Sequence, residues 1–223
     1  MKRVIVALPG NSFSEKFLIS WSDTLMTLNK KGYQVGIVNG YSSFVPFSRM
    51  KTLGLDVRRG VKQKPFNSEV DYDVWVTVDS DIVYSPDQFI ELIEETEKHP
   101  VISGTYRMAD LKTLAFVKKW DTDFFKKNGH FEFASIEDLS KEEEYVSVEY
   151  TGMGFFACTR EVLEKLEYPY FHSPLQEIEL DDGVVARDMA SEDVSFCKNI
   201  KAAGYDIVVK TSLRVGHEKN VVL

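Results

Sequence analysis

Two carboxylates separated by one residue, Asp79-Ser80-Asp81, follow directly on the apolar run Val74-Trp75-Val76-Thr77-Val78. Hard oxygen ligands on a turn suit Mn²⁺ or Mg²⁺, and such an ion bridges two phosphates while keeping several waters. The same triplet also makes an ordinary polar turn between strand and helix, so its meaning depends on partners elsewhere in the chain. One candidate partner is His217 in Val215-Gly216-His217-Glu218, an imidazole just beyond a strand-like segment. It completes a metal site only if folding carries it to Asp81. A third candidate is Ser191-Glu192-Asp193. Ser191 caps a helix there, and the partial positive charge at the helix start holds a carboxylate ionised. An ionised Asp193 within hydrogen-bond reach of a hydroxyl can act as a general base. Both acids also serve simply to complement the helix dipole.

The elements that must position these residues follow from hydrophobic period. Val4 to Leu8 is a continuous apolar run that empties into Pro9-Gly10-Asn11-Ser12, the pattern of a buried parallel strand ending in a loop. Phe17, Leu18, Trp21, Leu25 and Leu28 recur at helical spacing between Ser14, an N-cap, and Gly32, a terminator. Tyr33 to Val38 is a second strand, so the chain opens β-α-β and implies a parallel sheet. A short helix from Phe47 to Leu55, a polar loop from Arg58 to Tyr72 and the buried strand Val74 to Val78 come next. The Ser85/Gln88 capping box, with Pro86 at the first helical position, opens a helix to Lys98. Pro100 to Gly104 returns to the sheet.

From Thr105 to Tyr145, including the acidic run Glu142-Glu143-Glu144, no clean period is present. Beyond it lie a strand from Val146 to Tyr150, the glycine-rich turn Thr151-Gly152-Met153-Gly154, an apolar stretch Phe155 to Cys158 and a helix from about Thr159. Gln176 to Ala190 is polar and acidic, which predicts a mobile loop placed as an acceptor-side lid. The helix Glu192 to Ala203 is stopped by Gly204 before the strand Tyr205 to Val209. In open α/β sheets ligands bind beyond the carboxyl ends of the strands, and Asp79 and Asp81 fall at such an end.

With 223 residues, 43% of them hydrophobic and 13% aromatic, the chain has the length and composition of one globular α/β domain spanning residues 1–223. A net charge of −8 argues against nucleic acid as a partner, because phosphate backbones need a basic face. A local basic patch can still hold a diphosphate. Cys158 and Cys197 both sit among apolar residues, which fits buried free thiols in a reducing, cytoplasmic compartment. The apolar run near the N-terminus is far shorter than a signal-peptide core, and no segment approaches the ~20 apolar residues of a spanning helix. Membrane contact is at most peripheral.

Taken together, Asp79-Ser80-Asp81, Thr151-Gly152-Met153-Gly154-Phe155-Phe156, Ser191-Glu192-Asp193-Val194-Ser195-Phe196-Cys197 and Gly204-Tyr205 followed by Val215-Gly216-His217 resemble, in order and spacing, the GT-A nucleotide-sugar glycosyltransferases. The likeness is to compact members encoded by phages and large DNA viruses, and it runs from the first strand to His217. It implies a Rossmann-like, mostly parallel central sheet flanked by helices. It also implies metal-dependent transfer of a sugar from a nucleotide-sugar donor, a UDP-sugar above others, to a glycan or glycosylated acceptor. Mn²⁺ or Mg²⁺ would then sit on Asp81 and His217, with Asp79 at the ribose or the metal. Pro9, Asn11 and Ser80 would lie against the nucleotide, and Arg49 would reach its base or diphosphate. Gly152 and Gly154 would border the donor sugar, Glu192 would stand with the donor contacts, and Asp193 would be the base of an inverting reaction. Glu218 would orient the loop rather than bind metal. A retaining transferase on the same scaffold, a metal-dependent nucleotidyltransferase and a non-catalytic nucleotide-sugar-binding module are the alternatives.

Overall fold

The computed structural model describes residues 2–139 and 143–219. Glu142, the first residue of the acidic run, lies outside them. The chain begins with β1 (Arg3–Pro9), α1 (Glu15–Lys30), β2 (Gln34–Gly40), α2 (Val45–Thr52), β3 (Val74–Val78), β4 (Ile82–Val83), α3 (Pro86–Glu95) and β5 (Val101–Thr105). It continues through β6 (Phe116–Val117), α4 (Thr122–Asn128), α5 (Ile136–Leu139), β7 (Tyr145–Val148), β8 (Tyr150–Thr151), β9 (Phe155–Thr159) and α6 (Arg160–Lys165). The last elements are β10 (Leu175–Glu179), β11 (Val185–Met189), α7 (Glu192–Ala202), β12 (Ile207–Arg214) and β13 (Gly216–His217).

Seven strands form one sheet in the order β2-β1-β3-β9-β5-β12-β7. β1 pairs parallel with β2 and β3, and β12 pairs parallel with β5. β9 runs antiparallel between β3 and β5, and β7 runs antiparallel on β12 at the far edge. Five strands therefore share one direction, as expected of a mostly parallel sheet. β3 is buried along its whole length, which is why it reads as an unbroken apolar run. One apolar cluster, with Trp75, Phe156 and Phe196, covers one face of the sheet; another, with Val76, Phe89 and Phe155, covers the other.

The helix signals hold in detail. The Ser14 side chain accepts from the Phe17 N–H, and Ser85 and Gln88 form both halves of the capping box. α2 starts two residues earlier than its pattern suggests, since Pro46 fits the first helical turn. Ser191 occupies the N-cap position of α7 by backbone geometry, but its side chain makes no capping hydrogen bond.

Gln176 to Ala190 is not a loop. β10 and β11 pair antiparallel from Leu175↔Met189 to Glu179↔Val185. The Leu180 and Val184 backbones bond across Asp181-Asp182-Gly183, with Gly183 at φ 79°. That left-handed glycine closes a three-residue hairpin turn, a signal outweighed by the polarity of the segment when read alone. The stretch from Thr105 to Tyr145, which shows no clean period in sequence, holds β6, α4 and α5.

A two-stranded pairing outside the main sheet positions the chemistry. β13 pairs antiparallel with β4, placing His217 opposite Ile82 and Gly216 opposite Val83. The Glu218 N–H then donates to the Asp81 carbonyl at 2.8 Å. The turn after β3 and the segment after β12 are thereby tied side by side by backbone hydrogen bonds.

Candidate active site

Asp81 and His217 meet. His217 Nε2 stands 3.2 Å from Asp81 Oδ2, and His217 Nδ1 lies 2.7 Å from the Arg107 carbonyl oxygen. A carbonyl only accepts, so Nδ1 carries a proton and Nε2 is the nitrogen turned to the carboxylate. Two adjacent ligands at about 2.1 Å from one octahedral ion would be about 3.0 Å apart, close to the spacing seen. A carbonyl accepting from the far ring nitrogen is also how metal-ligating histidines are oriented. The pair therefore fits a divalent cation. Lys219 Nζ also donates to Asp81 Oδ2, at 2.7 Å, so an ammonium already stands where positive charge is wanted. Burial acts to raise the Asp81 pKa, but the bonds from His217 and Lys219 outweigh it and bring it down to about 2. The Asp81 hydrogen bond, against an opposing effect of burial, raises that of His217. The Glu218 backbone N–H ties the segment to the Asp81 carbonyl, while its carboxylate lies with Oε1 3.5 Å from Lys16 Nζ.

Asp79 goes elsewhere. Its two oxygens receive Arg49 Nη1 and Nη2 at 3.0 and 3.2 Å, a bidentate pairing. Arg49 also reaches Glu192 Oε1 and Asp193 Oδ1 through Nε, at 3.1 and 3.2 Å. Only 4% of Arg49 is exposed. Three of its five N–H donors are thus spent on carboxylates of the same chain, so Arg49 is first of all a structural cation, with one N–H on each Nη not committed to these partners. Among the described residues, no group of three or more His, Cys, Asp or Glu side chains is arranged to hold a metal ion. Asp81 and His217 form a pair from which Asp79 is drawn away by Arg49.

Asp193 is tied down by the Met153 N–H, which donates to Oδ2 at 3.2 Å, while Oδ1 accepts no hydrogen bond among the described residues. Burial is the first cause of its raised pKa; Arg49 opposes it, and Glu192 and Asp79 add to it, with a net rise to about 7. The expectation of an acid held ionised by the helix start is therefore corrected. One cation is shared by three carboxylates, and burial of Asp193 disfavours its charged form. Oδ1 is buried and faces Arg49 Nε, and a carboxylate poised near neutrality is matched in pKa to taking a proton.

The space beside Gly152 and Gly154 is taken by a side chain of the same chain. A β-carbon on either would run into the Tyr106 side chain: at Gly154 the nearest Tyr106 atoms lie 2.7 to 2.8 Å away. The Gly154 N–H donates to Tyr106 Oη at 3.1 Å, and the Tyr106 ring packs edge-on to His217 with centroids 4.9 Å apart. Tyr106 thus links the imidazole to the turn that carries Met153 and, through it, Asp193. Sequence reasoning missed it because it lies in the stretch without period. The paired glycines did signal a close approach, but by an aromatic ring of the same chain. Lys219 was also missed; its place two residues past His217 was the available clue.

Pro9, Arg49, Asp79, Ser80 and Asp81 line one groove of about 260 Å³ together with Tyr41 and Ser42. Asn11 is exposed and does not line it. Glu192 stands behind the groove on Arg49. The groove leads to Asp81, and so to His217.

The fold is that of the GT-A glycosyltransferases: a mostly parallel sheet whose strand ends carry the acidic turn, flanked by helices. Three solved structures illustrate the likeness. A197 from STIV is 18% identical, with a TM-score of 0.52 over all of this chain and 97% of that one. A Drosophila beta-1,4-galactosyltransferase 7 variant, in complex with manganese, UDP-Gal and xylobiose, is 13% identical with a TM-score of 0.52, covering 99% of this chain and 72% of that one. GalNAc-T7 with UDP, GalNAc and Mn²⁺ is 10% identical with a TM-score of 0.54, covering 99% of this chain and 43% of that one. No family model matches the chain, and no curated protein matches it in sequence. Among the described residues no helix is long and apolar enough to cross a membrane.

Proposed function

We propose that residues 1–223 form one catalytic domain that transfers a sugar from a nucleotide-sugar donor, a UDP-sugar above others, to an acceptor hydroxyl with inversion. The observation that carries this reading is the contact between Asp81 and His217, far apart in sequence and joined by the β4–β13 pairing. Two structures of the same fold are complexes with manganese and UDP or UDP-Gal, which supports Mn²⁺ and a uridine donor here.

Asp81 and His217 would hold the metal. A divalent cation there would neutralise the departing diphosphate. The nucleotide would lie in the groove of Pro9 and Ser80, outside the closed Arg49 cluster. The Asp193 carboxylate would take the acceptor proton while the acceptor oxygen bonds to the anomeric carbon. The bond from that carbon to the diphosphate breaks, and the leaving oxygen keeps its electron pair. Met153 and Arg49 fix the carboxylate in place, and Tyr106 keeps the Gly154 turn and the His217 ring in register.

A retaining transferase is the second reading, favoured by the contact of Asp193 with Arg49, which suits a positioning acid as well as a base. Hydrolysis of UDP-, GDP- and dTDP-sugars, with and without Mn²⁺, tests the main proposal. Asp81→Ala and His217→Ala are expected to abolish Mn²⁺-dependent hydrolysis, and full activity in both would reject the metal assignment. The anomeric configuration of the product, read by NMR, separates inversion from retention.

A further inference from the structure

His217 lines a cavity larger than the nucleotide groove, of about 490 Å³. That volume is in the range of small-molecule sites and far beyond a packing void. Its floor is apolar: Leu114, Leu139 and Val215 line it and are themselves buried. Its polar wall is of one sign. Arg107, Arg214 and Lys219 line the cavity with His217, while none of its described lining residues is Asp or Glu. In a chain of net charge −8 this is a local inversion of charge. Lys219 is engaged by Asp81. Arg107 and Arg214 are exposed and have no carboxylate partner among the described residues; Arg214 gives only its Nε to the Thr211 carbonyl.

An apolar floor favours a ligand that leaves water, and two guanidiniums with no carboxylate partner among the described residues favour an anion, each as a bidentate donor to phosphate or carboxylate. A neutral sugar alone would leave both features unused. The cavity also borders the two halves of the proposed site, since His217 and Tyr106 both line it.

We propose that this cavity binds an amphipathic anion, an alkyl or aryl group bearing a phosphate or carboxylate. Resting on the transferase reading above, this ligand is the acceptor, and it then carries in addition the hydroxyl that loses its proton and receives the sugar. The apolar body sits on Leu114, Leu139 and Val215, and the anion faces Arg107 and Arg214.

Calorimetric titration of the full chain with octyl phosphate, octyl glucoside and inorganic phosphate, each with and without UDP and Mn²⁺, tests it. Octyl phosphate is expected to bind at least about tenfold more tightly than either of the others, because only it uses both floor and wall. Arg107→Gln with Arg214→Gln is expected to weaken octyl phosphate about tenfold or more while leaving octyl glucoside unchanged. Ala109→Trp, which puts a ring into the cavity from its lining, is expected to weaken both amphiphiles; unfolding curves of each variant confirm that it folds. No binding of octyl phosphate in any condition, or binding that ignores these substitutions, overturns the proposal. Inorganic phosphate binding as well as octyl phosphate would reduce the site to a plain anion site and overturn it too. Octyl phosphate binding without turnover of any nucleotide sugar would sink the transferase reading and leave the cavity's ligand class standing. Donor turnover without octyl phosphate binding would do the reverse.

Discussion

Gly152→Ala adds a methyl group to the space that Tyr106 Oη occupies. Beyond that oxygen, the nearest atoms to an added β-carbon are Tyr106 Cζ at 3.4 Å and Ala115 Cβ at 3.5 Å, both ordinary contacts. Its backbone is not in the left-handed region, so the whole cost is steric. In the wild-type background that overpacking is expected to cost about 1–3 kcal/mol. Tyr106→Phe removes the oxygen and leaves the buried Gly154 N–H without its acceptor, at about 1–3 kcal/mol. Combined, the two changes relieve each other: the methyl group fills the space vacated by the hydroxyl, and a coupling of about 1 kcal/mol or more is expected. Gly154→Ala is the internal control. Its added carbon meets Tyr106 Cζ and Cε1 at 2.7 and 2.8 Å, and these ring atoms persist in phenylalanine, so Tyr106→Phe should not rescue it. Urea unfolding midpoints of the wild type and the five variants, at constant m, measure all of these differences. Equal cost of Gly152→Ala in both backgrounds, accompanied by lost UDP binding, would refute the packing account and restore the view that this glycine makes room for the donor.

Three further outcomes are expected. Because an acid must be ionised to act as a base, transfer by the wild type should fall about tenfold per pH unit below about 7, and Asp193→Asn should be lower by about 10² with a nearly unchanged donor Kd. A rate profile flat from pH 5 to 8 would remove Asp193 from that role. Arg49→Met takes the cation from three enclosed carboxylates; a loss of about 3–5 kcal/mol is expected in urea unfolding, and any remaining activity should begin at higher pH because Asp193 becomes harder to ionise. Lys219→Met frees Asp81 Oδ2, and Mn²⁺ titrated without nucleotide should bind up to about fivefold more tightly, the worth of an ion pair at a partly exposed site; weaker binding would mean that Lys219 supports the metal rather than competing with it.

Local rules account for what the sequence made legible. Ser14, Ser85 with Gln88, and Gly32 mark helix ends through hydrogen bonds and φ angles that involve only a few neighbouring residues, and β3 reads as buried because both its faces are apolar. The β-α-β opening fixes the parallel start of the sheet. The acidic turn at Asp79 to Asp81, the imidazole at His217 and the acid at Asp193 could each be picked out by residue type and by position after a strand or at a helix start. The hairpin of β10 and β11 was hidden because its strands are mostly exposed and carry little apolar alternation.

Residue type and spacing along the chain thus determined the candidates, the helix boundaries and the class of sheet, since these depend on short-range sterics and on which side chains leave water. Tertiary structure alone decided the pairings: His217 with Asp81 through β13 and β4, Asp79 with Arg49 rather than with a metal, Asp193 raised rather than lowered in pKa, and Tyr106 in the space the glycines leave. Burial and the charges of distant neighbours set those outcomes, and neither quantity exists until segments far apart in the chain are packed together.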